Sequence, residues 1–252
     1  MTVHRDELAR YLDGLLQPEE FSDYAPNGLQ IEGAPHITHL VAGVSANRAL
    51  IDQAIATGAD AILVHHGFFW KGESPTLTGY RGDRIMRMVR ARLSLFAYHL
   101  PLDAHATYGN NAEILRIAGA TPEGTFGQGN PQLGRWGRLP EIAHRDELLA
   151  HIAQELGQEP VAFSYGPEQI RTVGVVTGGG ARFFEDALDA EIDLFITGEP
   201  SEQSQGIAVE CSGNFAAFGH HATERVGVRA LAEHLAERFD VRTTFIDVPN
   251  VV

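Results

Sequence analysis

The sequence contains one cysteine, few basic residues and no long apolar run. Cys211 is the only cysteine among 252 residues. The chain therefore cannot form an internal disulfide, which is typical of proteins of the reducing cytoplasm. Lys and Arg number 19 against 33 Asp and Glu, and the net charge of −14 argues against nucleic acid or an anionic membrane as the main partner. No segment is apolar over enough residues to span a bilayer, and the polar N-terminus lacks a signal-peptide core. These features predict a cytoplasmic protein.

Two stretches of the chain each predict a strand, a helix and a second strand. The first comprises a strand at His39–Val44, a helix at about 46–57 and a strand at Ala61–Val64. The second comprises a strand at Arg171–Thr177, a helix at 181–190 and a strand at Asp193–Thr197. They match at an offset of 131 or 132 residues, and this match indicates an internal duplication.

The segment 121–143 has many glycines and prolines and no periodicity, so we interpret it as an irregular crossing between domains. The predicted fold is α/β, with two similar domains of mixed sheets flanked by helices. The first domain would comprise 1–124 and 219–252, and the second 125–218.

Two adjacent histidines, His65 and His66, follow the predicted strand Ala61–Val64. Neighbouring strand residues point to opposite faces, so both imidazoles can reach one site only if the backbone bends. Gly67 comes next and favours such a bend. In α/β sheets the carboxyl ends of strands are where ligands bind, so the pair predicts a polar site at this edge.

Two further predicted strands are each followed by a histidine with a carboxylate four residues later. These pairs are His99 with Asp103 and His220 with Glu224. Imidazoles and carboxylates suit Zn²⁺, Fe²⁺, Mn²⁺ or Co²⁺, and the absence of thiolates argues against a closed structural zinc site. Five or six such ligands exceed the need of one open ion. Two ions bridged by a carboxylate would use them all and would lower the pKa of a bound water.

Several other features allow two interpretations. The glycines 178–180 either bind an anion at a helix N-terminus or form a tight turn. The aromatic run 68–70 either stacks on a flat substrate or packs in the core. Glu199 either supports the metal site or caps an element. The arginines between 81 and 92 form either the solvated face of a helix or a local basic patch.

Four segments together resemble the NIF3-like dinuclear-metal proteins, also called GTP cyclohydrolase 1 type 2 homologues, in their short bacterial form. The resemblance extends in order over essentially the whole chain. The segments are Val64-His-His-Gly-Phe-Phe-Trp70, Tyr98-His-Leu-Pro-Leu-Asp-Ala-His105, Ile196-Thr-Gly-Glu199 and Gly219-His-His-Ala-Thr-Glu-Arg225.

This resemblance implies two α/β domains with a dinuclear centre in the cleft between them, and a toroidal homohexamer built as a trimer of dimers. Glu224 would bridge the two ions, with Asp103 as a second candidate bridge. His99 is a candidate ligand or acid/base. His221 stands where other members often carry an aromatic residue, which leaves open whether His220 or His221 binds; the spacing to Glu224 favours His220. The implied metal ligands are His65, His66, Asp103, His220 and Glu224.

The leading hypothesis is a metal-dependent hydrolase that acts on a C–N bond of a small heterocyclic or nucleotide-like substrate. Its cofactors would be two divalent transition ions per chain, Fe, Zn, Mn or Co, and His99 would relay a proton. One alternative is a non-catalytic ring that stores or delivers iron. A further alternative is a dinuclear phosphoesterase, which would use the same ligands.

Overall fold

The computed structural model describes residues 1–252, which form mixed strands and helices. None of the helices has both the length and the apolar character needed to cross a membrane. In chain order the elements are β1 Val3–His4, α1 Arg5–Leu16, β2 Gly28–Ile31, β3 His36–Ile37, β4 His39–Ser45, α2 Arg48–Ala56, β5 Ala61–His66, α3 Gly79–Ala91, β6 Ser94–Ala97, α4 Leu100–Ala104, α5 Asn110–Ile117, β7 Thr121–Phe126, β8 Gly134–His144, α6 Arg145–Leu156, β9 Val161–Ser164, β10 Gln169–Val176, α7 Phe184–Asp189, β11 Leu194–Thr197, α8 Ser204–Glu210, β12 Asn214–Ala217, α9 His220–Phe239 and β13 Arg242–Phe245.

The chain divides into two compact units. Unit 1 comprises Met1–Leu102 and Val228–Val248, and unit 2 comprises Asp103–Gly227 and Pro249–Val252. Helices α4 and α9 each continue from one unit into the other. The domain boundaries expected from the sequence, after residues 124 and 218, stay a prediction.

Unit 1 contains a five-stranded sheet in the order β13-β4-β5-β6-β2. The strands β13, β4, β5 and β6 run parallel, and β2 is antiparallel to β6. Helix α2 begins after Asn47, whose side-chain oxygen accepts a hydrogen bond from the Leu50 amide. Its Leu50 and Ile51 pack with Ile62 and Val64 of β5, so one face of the sheet is covered by this helix.

Unit 2 contains a six-stranded sheet in the order β7-β8-β10-β11-β12-β9. Its central strands alternate between two apolar clusters. In β11, Leu194 and Ile196 join the cluster that includes α5 and α6, whereas Phe195 joins the cluster with α7 and α8. The central sheet is therefore covered on both faces, as parallel strands require.

The two units repeat one topology, which agrees with the predicted duplication. The strand order β4-β5-β6-β2 in the sheet of unit 1 corresponds to the order β10-β11-β12-β9 in unit 2. The last strand is antiparallel to its neighbour in both sheets. The interstrand register by itself fixes no offset, because paired residues of these two strands are equally far apart in the chain in both units. An aspartate ahead of the second strand does fix it: Asp60 accepts from the amides of residues 38 and 39, and Asp193 accepts from those of residues 171 and 172. The offset is therefore 133 residues rather than 131 or 132.

The interpretation of 121–143 as an irregular crossing was wrong, because this stretch forms the antiparallel pair β7 and β8. Most of β7 is exposed, so its sequence lacks the alternation of a half-buried strand. The glycines of β8 have a packing role. A Cβ at Gly137 would collide with the Thr121 backbone, and one at Gly134 with the Phe126 ring.

Candidate metal centre

His65 and His66 belong to β5 itself, which extends two residues beyond the predicted end at Val64. Their ring centroids nevertheless lie 4.6 Å apart, so the two imidazoles do not point to opposite sides of the sheet. Gly67 follows, and a Cβ there would collide with Gln30 and Ala97. The close approach at Gly67 explains why glycine ends the strand.

His99 completes a cluster of three imidazoles in unit 1. It follows β6, the neighbour of β5, and its ring centroid lies 5.0 Å from His65 and 5.6 Å from His66. One ring nitrogen from each of the three residues lies within 4.8 Å of the others. Within unit 1, the three histidines thus lie together at one edge of the sheet, as the sequence predicts.

Hydrogen bonds at Nδ1 orient the two histidines of β5. His65 Nδ1 lies 3.0 Å from the Tyr98 carbonyl oxygen, to which it donates as Nδ1–H. His66 Nδ1 lies 3.0 Å from the hydroxyl of Ser45, its register partner in β4. Engaging Nδ1 directs Nε2 toward the cluster, which is the usual arrangement for a metal-binding imidazole.

Asp23 holds His99 in the same manner, and the sequence analysis missed it. Its Oδ1 accepts a 2.7 Å hydrogen bond from His99 Nδ1, while its Oδ2 accepts from Asn27 and from the Leu100 amide. Only 3% of the Asp23 side chain is exposed. Burial raises the pKa of Asp23, but the hydrogen bonds, first that from His99, outweigh it and lower the pKa to about 2. The carboxylate is thus fixed as an anion against the imidazole.

Unit 2 contains two buried carboxylates, Asp103 and Glu224, which are 5% and 2% exposed. Their oxygens lie within 4.8 Å of each other. Asp103 Oδ1 accepts hydrogen bonds from Asn110 at 2.8 Å and from Thr177 at 3.0 Å. Two like charges this close in a buried place repel each other unless a cation lies between them.

His220 connects Glu224 with Glu199. Its Nε2 lies 3.0 Å from Glu224 Oε1, and its Nδ1 forms a short hydrogen bond with Glu199. Burial lowers the pKa of His220, but the two carboxylates outweigh it and raise the pKa to about 9. The imidazole beside Glu224 is thus that of His220, and Glu199 supports it. The backbone amide of His221 donates to the Val252 oxygen.

The matching of the two His-x3-carboxylate pairs as repeats was wrong by one residue. Ala97 pairs with Val64 in unit 1, and Ala217 pairs with Thr197 in unit 2, so the residue equivalent to His99 is Gly219. The same register places Glu199 at the position of His66. The two units therefore present different residues at equivalent places.

Gly178 begins a tight turn that packs against the carboxylates. It has φ of +62°, and its amide donates to the Thr223 hydroxyl, while the Gly180 amide donates to the Thr197 hydroxyl. Since two of the three glycine amides already have protein partners, the turn interpretation is favoured over anion binding. A Cβ at Gly178 would overlap Glu224 Oε1, whereas one at Gly179 would meet no atom within 4 Å.

We expect Gly178→Ala to displace Glu224 and His220 and to lower the affinity for a divalent metal about 10–100-fold, the range seen when the support of a ligand is lost. Gly179→Ala is the matched control and should retain wild-type affinity. Titration against a chromophoric chelator measures both. Equal metal affinities in the two variants would show that the close approach of Gly178 to Glu224 does not matter for metal binding.

Four histidines outside the candidate centre make hydrogen bonds within their own unit. His144 accepts from the Asp146 amide at the start of α6, and His234 pairs with the Tyr11 hydroxyl. His105 accepts from the Tyr108 amide, and His151 lies against the Ile117 carbonyl.

A family comparison identifies the chain. The model of the Duf34/NIF3 family, NGG1p interacting factor 3, matches residues 3–250. The chain belongs to this family. A relative from Escherichia coli strain K12, named GTP cyclohydrolase 1 type 2 homolog, is 44% identical over 97% of this chain and 98% of its own length. A Pseudomonas aeruginosa relative of the same name is 42% identical over 97% of this chain and 96% of its own.

Solved structures of Duf34/NIF3-like chains confirm the fold. Protein ybgI, described as of unknown function, has 43% identity and a TM-score of 0.94, covering 99% of this chain and 100% of its own. TTHA1606 from Thermus thermophilus has 33% identity and a TM-score of 0.90 over the same shares. The predicted α/β fold and the predicted family are thus both confirmed. The word "homolog" in the relatives' names states kinship and leaves the reaction open.

Proposed function

We propose that this Duf34/NIF3 protein is a dinuclear metal-dependent hydrolase that cleaves a C–N bond in a small heterocyclic or nucleotide-like substrate. The proposed metal ligands are His65, His66, Asp103, His220 and Glu224. The observation that carries the proposal is the buried pair of carboxylates, Asp103 and Glu224, whose oxygens lie within 4.8 Å of each other.

The electrostatics of unit 2 favour a bound cation. In the metal-free state, the charge of Glu224 is balanced by a proton that is retained on His220, since the pKa of this imidazole is raised to about 9. A divalent ion supplies the same compensation more strongly and would take the Nε2 lone pair in place of the proton. Asp103 accepts hydrogen bonds from the neutral side chains of Asn110 and Thr177.

The imidazoles of unit 1 complete the proposed donor set. They offer nitrogen ligands, and the carboxylates of unit 2 offer oxygen ligands, a mixture that suits Zn²⁺, Fe²⁺, Mn²⁺ or Co²⁺. Five ligands exceed the three or four protein groups of one open catalytic ion.

Two such ions would lower the pKa of water at the site and stabilise developing negative charge. Within the chain, Asp23 keeps a proton on His99 Nδ1, so His99 Nε2 is the atom that accepts a proton from the attacking water. The Asp23 carboxylate then stabilises the imidazolium, which returns the proton to the leaving nitrogen. His99 thereby acts as the acid/base of the proposed reaction.

Turnover of GTP, the substrate that the relatives' name suggests, and of related purine and pteridine compounds tests this function. Metal-loaded protein should cleave a ring C–N bond, and chelated protein should not. His99→Gln should lower kcat about 10²–10⁴-fold while the metal content stays unchanged. His151→Gln, at an exposed structural histidine, is the matched control.

Two results would contradict the proposed reaction. Release of phosphate from generic phosphoesters without C–N cleavage would assign a phosphoesterase. Rapid passage of metal to an acceptor without any turnover would assign an iron-storing or iron-delivering ring. The homohexameric ring and the cytoplasmic location stay predictions.

A further inference from the structure

A cavity of about 230 Å³ lies in unit 1 beside the imidazole cluster. Its walls are mainly apolar and include Phe68, Phe69, Trp70, Leu77 and Ile85. Pockets for drug-sized ligands have volumes of about 300–1,000 Å³, so this one suits a smaller group, such as a single heterocyclic ring system. Aromatic walls favour a flat occupant.

Trp70 connects this cavity with the imidazoles. It lines the cavity, and its ring centroid lies 5.0 Å from that of His99 and 5.7 Å from that of His66. The indole of Trp70 is therefore part of the cavity wall and at the same time packs against the imidazole cluster.

The loop that forms the cavity is held in an unfavourable backbone conformation. Phe69 has φ of +69°, a region that bulky residues rarely adopt. Hydrogen bonds fix the loop on both sides of it: the Phe68 amide donates to Gln30, and the Lys71 amide donates to the Tyr24 carbonyl. Strain of this kind is typical of ligand-binding segments.

The polar edge of the cavity consists of one ion pair. Arg81 and Glu73 both line the cavity, and their charged atoms lie 3.2 Å apart. Side by side, they present a donor and an acceptor. A lactam edge, with its C=O next to its N–H, is complementary to this pair, because the carbonyl accepts from Arg81 and the N–H donates to Glu73.

We propose that this cavity binds a planar nitrogen heterocycle through a lactam edge and anchors the substrate whose scissile bond lies at the imidazole cluster. The role as a substrate subsite rests on the proposed hydrolase function, whereas the binding of the ring does not. Trp70 and Phe69 enclose the ring, and the Arg81–Glu73 pair selects its edge.

Calorimetric titration of the full chain with hypoxanthine and with purine tests the proposal, because purine lacks the lactam group but has the same ring system. Hypoxanthine should bind at least about tenfold more tightly than purine, the change expected for charge-assisted hydrogen bonds. Arg81→Met should remove this difference. Arg84→Met, on the same helix but stacked on Tyr80 outside the cavity, should leave it unchanged.

Arg81 and Glu73 are partly exposed, so the variants should fold, which circular dichroism verifies. Equal binding of the two rings, no binding, or an effect of Arg84→Met equal to that of Arg81→Met would overturn the proposal. Titrations with and without metal separate it from the hydrolase function. If the protein binds hypoxanthine as described but no metal, the proposed reaction fails and the ring site stands.

Discussion

Replacement of Glu224 by alanine is expected to reduce bound divalent metal from the proposed two ions per chain to less than one and to abolish the proposed hydrolysis. Glu224 is the proposed bridge between the ions, so its loss affects both. It is also the hydrogen-bond partner of His220 Nε2, so the imidazole would keep only its hydrogen bond to Glu199. Metal analysis after repletion and gel filtration gives the number of ions, and turnover gives the activity.

Glu233→Ala provides the matched control for this variant. Glu233 lies on the same helix, α9, and forms an exposed pair with Arg229 four residues earlier. Such pairs contribute little to stability, so the control should bind two ions and keep full activity. A Glu224→Ala protein that is folded and still holds two ions would exclude Glu224 as the bridge.

Asp23→Asn is expected to lower kcat about 10–100-fold while two ions stay bound. An asparagine can still accept the hydrogen bond from His99, but it has no charge to stabilise the imidazolium. Its amide nitrogen would also face two donors, Asn27 Nδ2 and the Leu100 amide, which leaves hydrogen bonds unmade. His99 would therefore lose both its counter-charge and its fixed orientation.

The control for this variant is Glu20→Gln, an exposed acid three residues earlier in the same loop region. It should retain wild-type kcat. Metal content separates the two possible roles of the Asp23–His99 pair. If Asp23→Asn lost one ion, His99 would be a metal ligand; if it kept both ions and full activity, the proton relay would be wrong.

The sequence predicted the parts of the fold that bury alternating or continuous apolar residues. The strands β4, β5, β10 and β11 and the helices between them carry strong signals, because their side chains fill the cores of the two sheets. The pair of β7 and β8 was missed because most of β7 is exposed and β8 is only partly buried, so neither shows a regular apolar pattern. The offset of 133 required the backbone contacts of Asp60 and Asp193, which side-chain similarity alone does not reveal.

In the candidate metal centre, too, residues with a local sequence pattern were predicted, and most of those without one were missed. His65, His66, His99, His220 and Glu224 were identified because each stands near the end of a predicted strand or at a regular spacing. Of their supporting partners, only Glu199 was among the candidates. Asp23 precedes His99 by 76 residues, and Ser45 precedes His66 by 21. Such contacts depend on how loops and neighbouring strands pack, and local sequence patterns carry no information about this.

Anomalous diffraction from crystals grown without chelator and replenished with metal tests the central claim most directly. We expect two anomalous peaks about 3.5–4 Å apart, the separation of two-metal sites. Both should lie among His65, His66, Asp103, His220 and Glu224, with a carboxylate oxygen between them. A single peak at these residues, or none, would contradict the dinuclear centre and the reaction proposed for it.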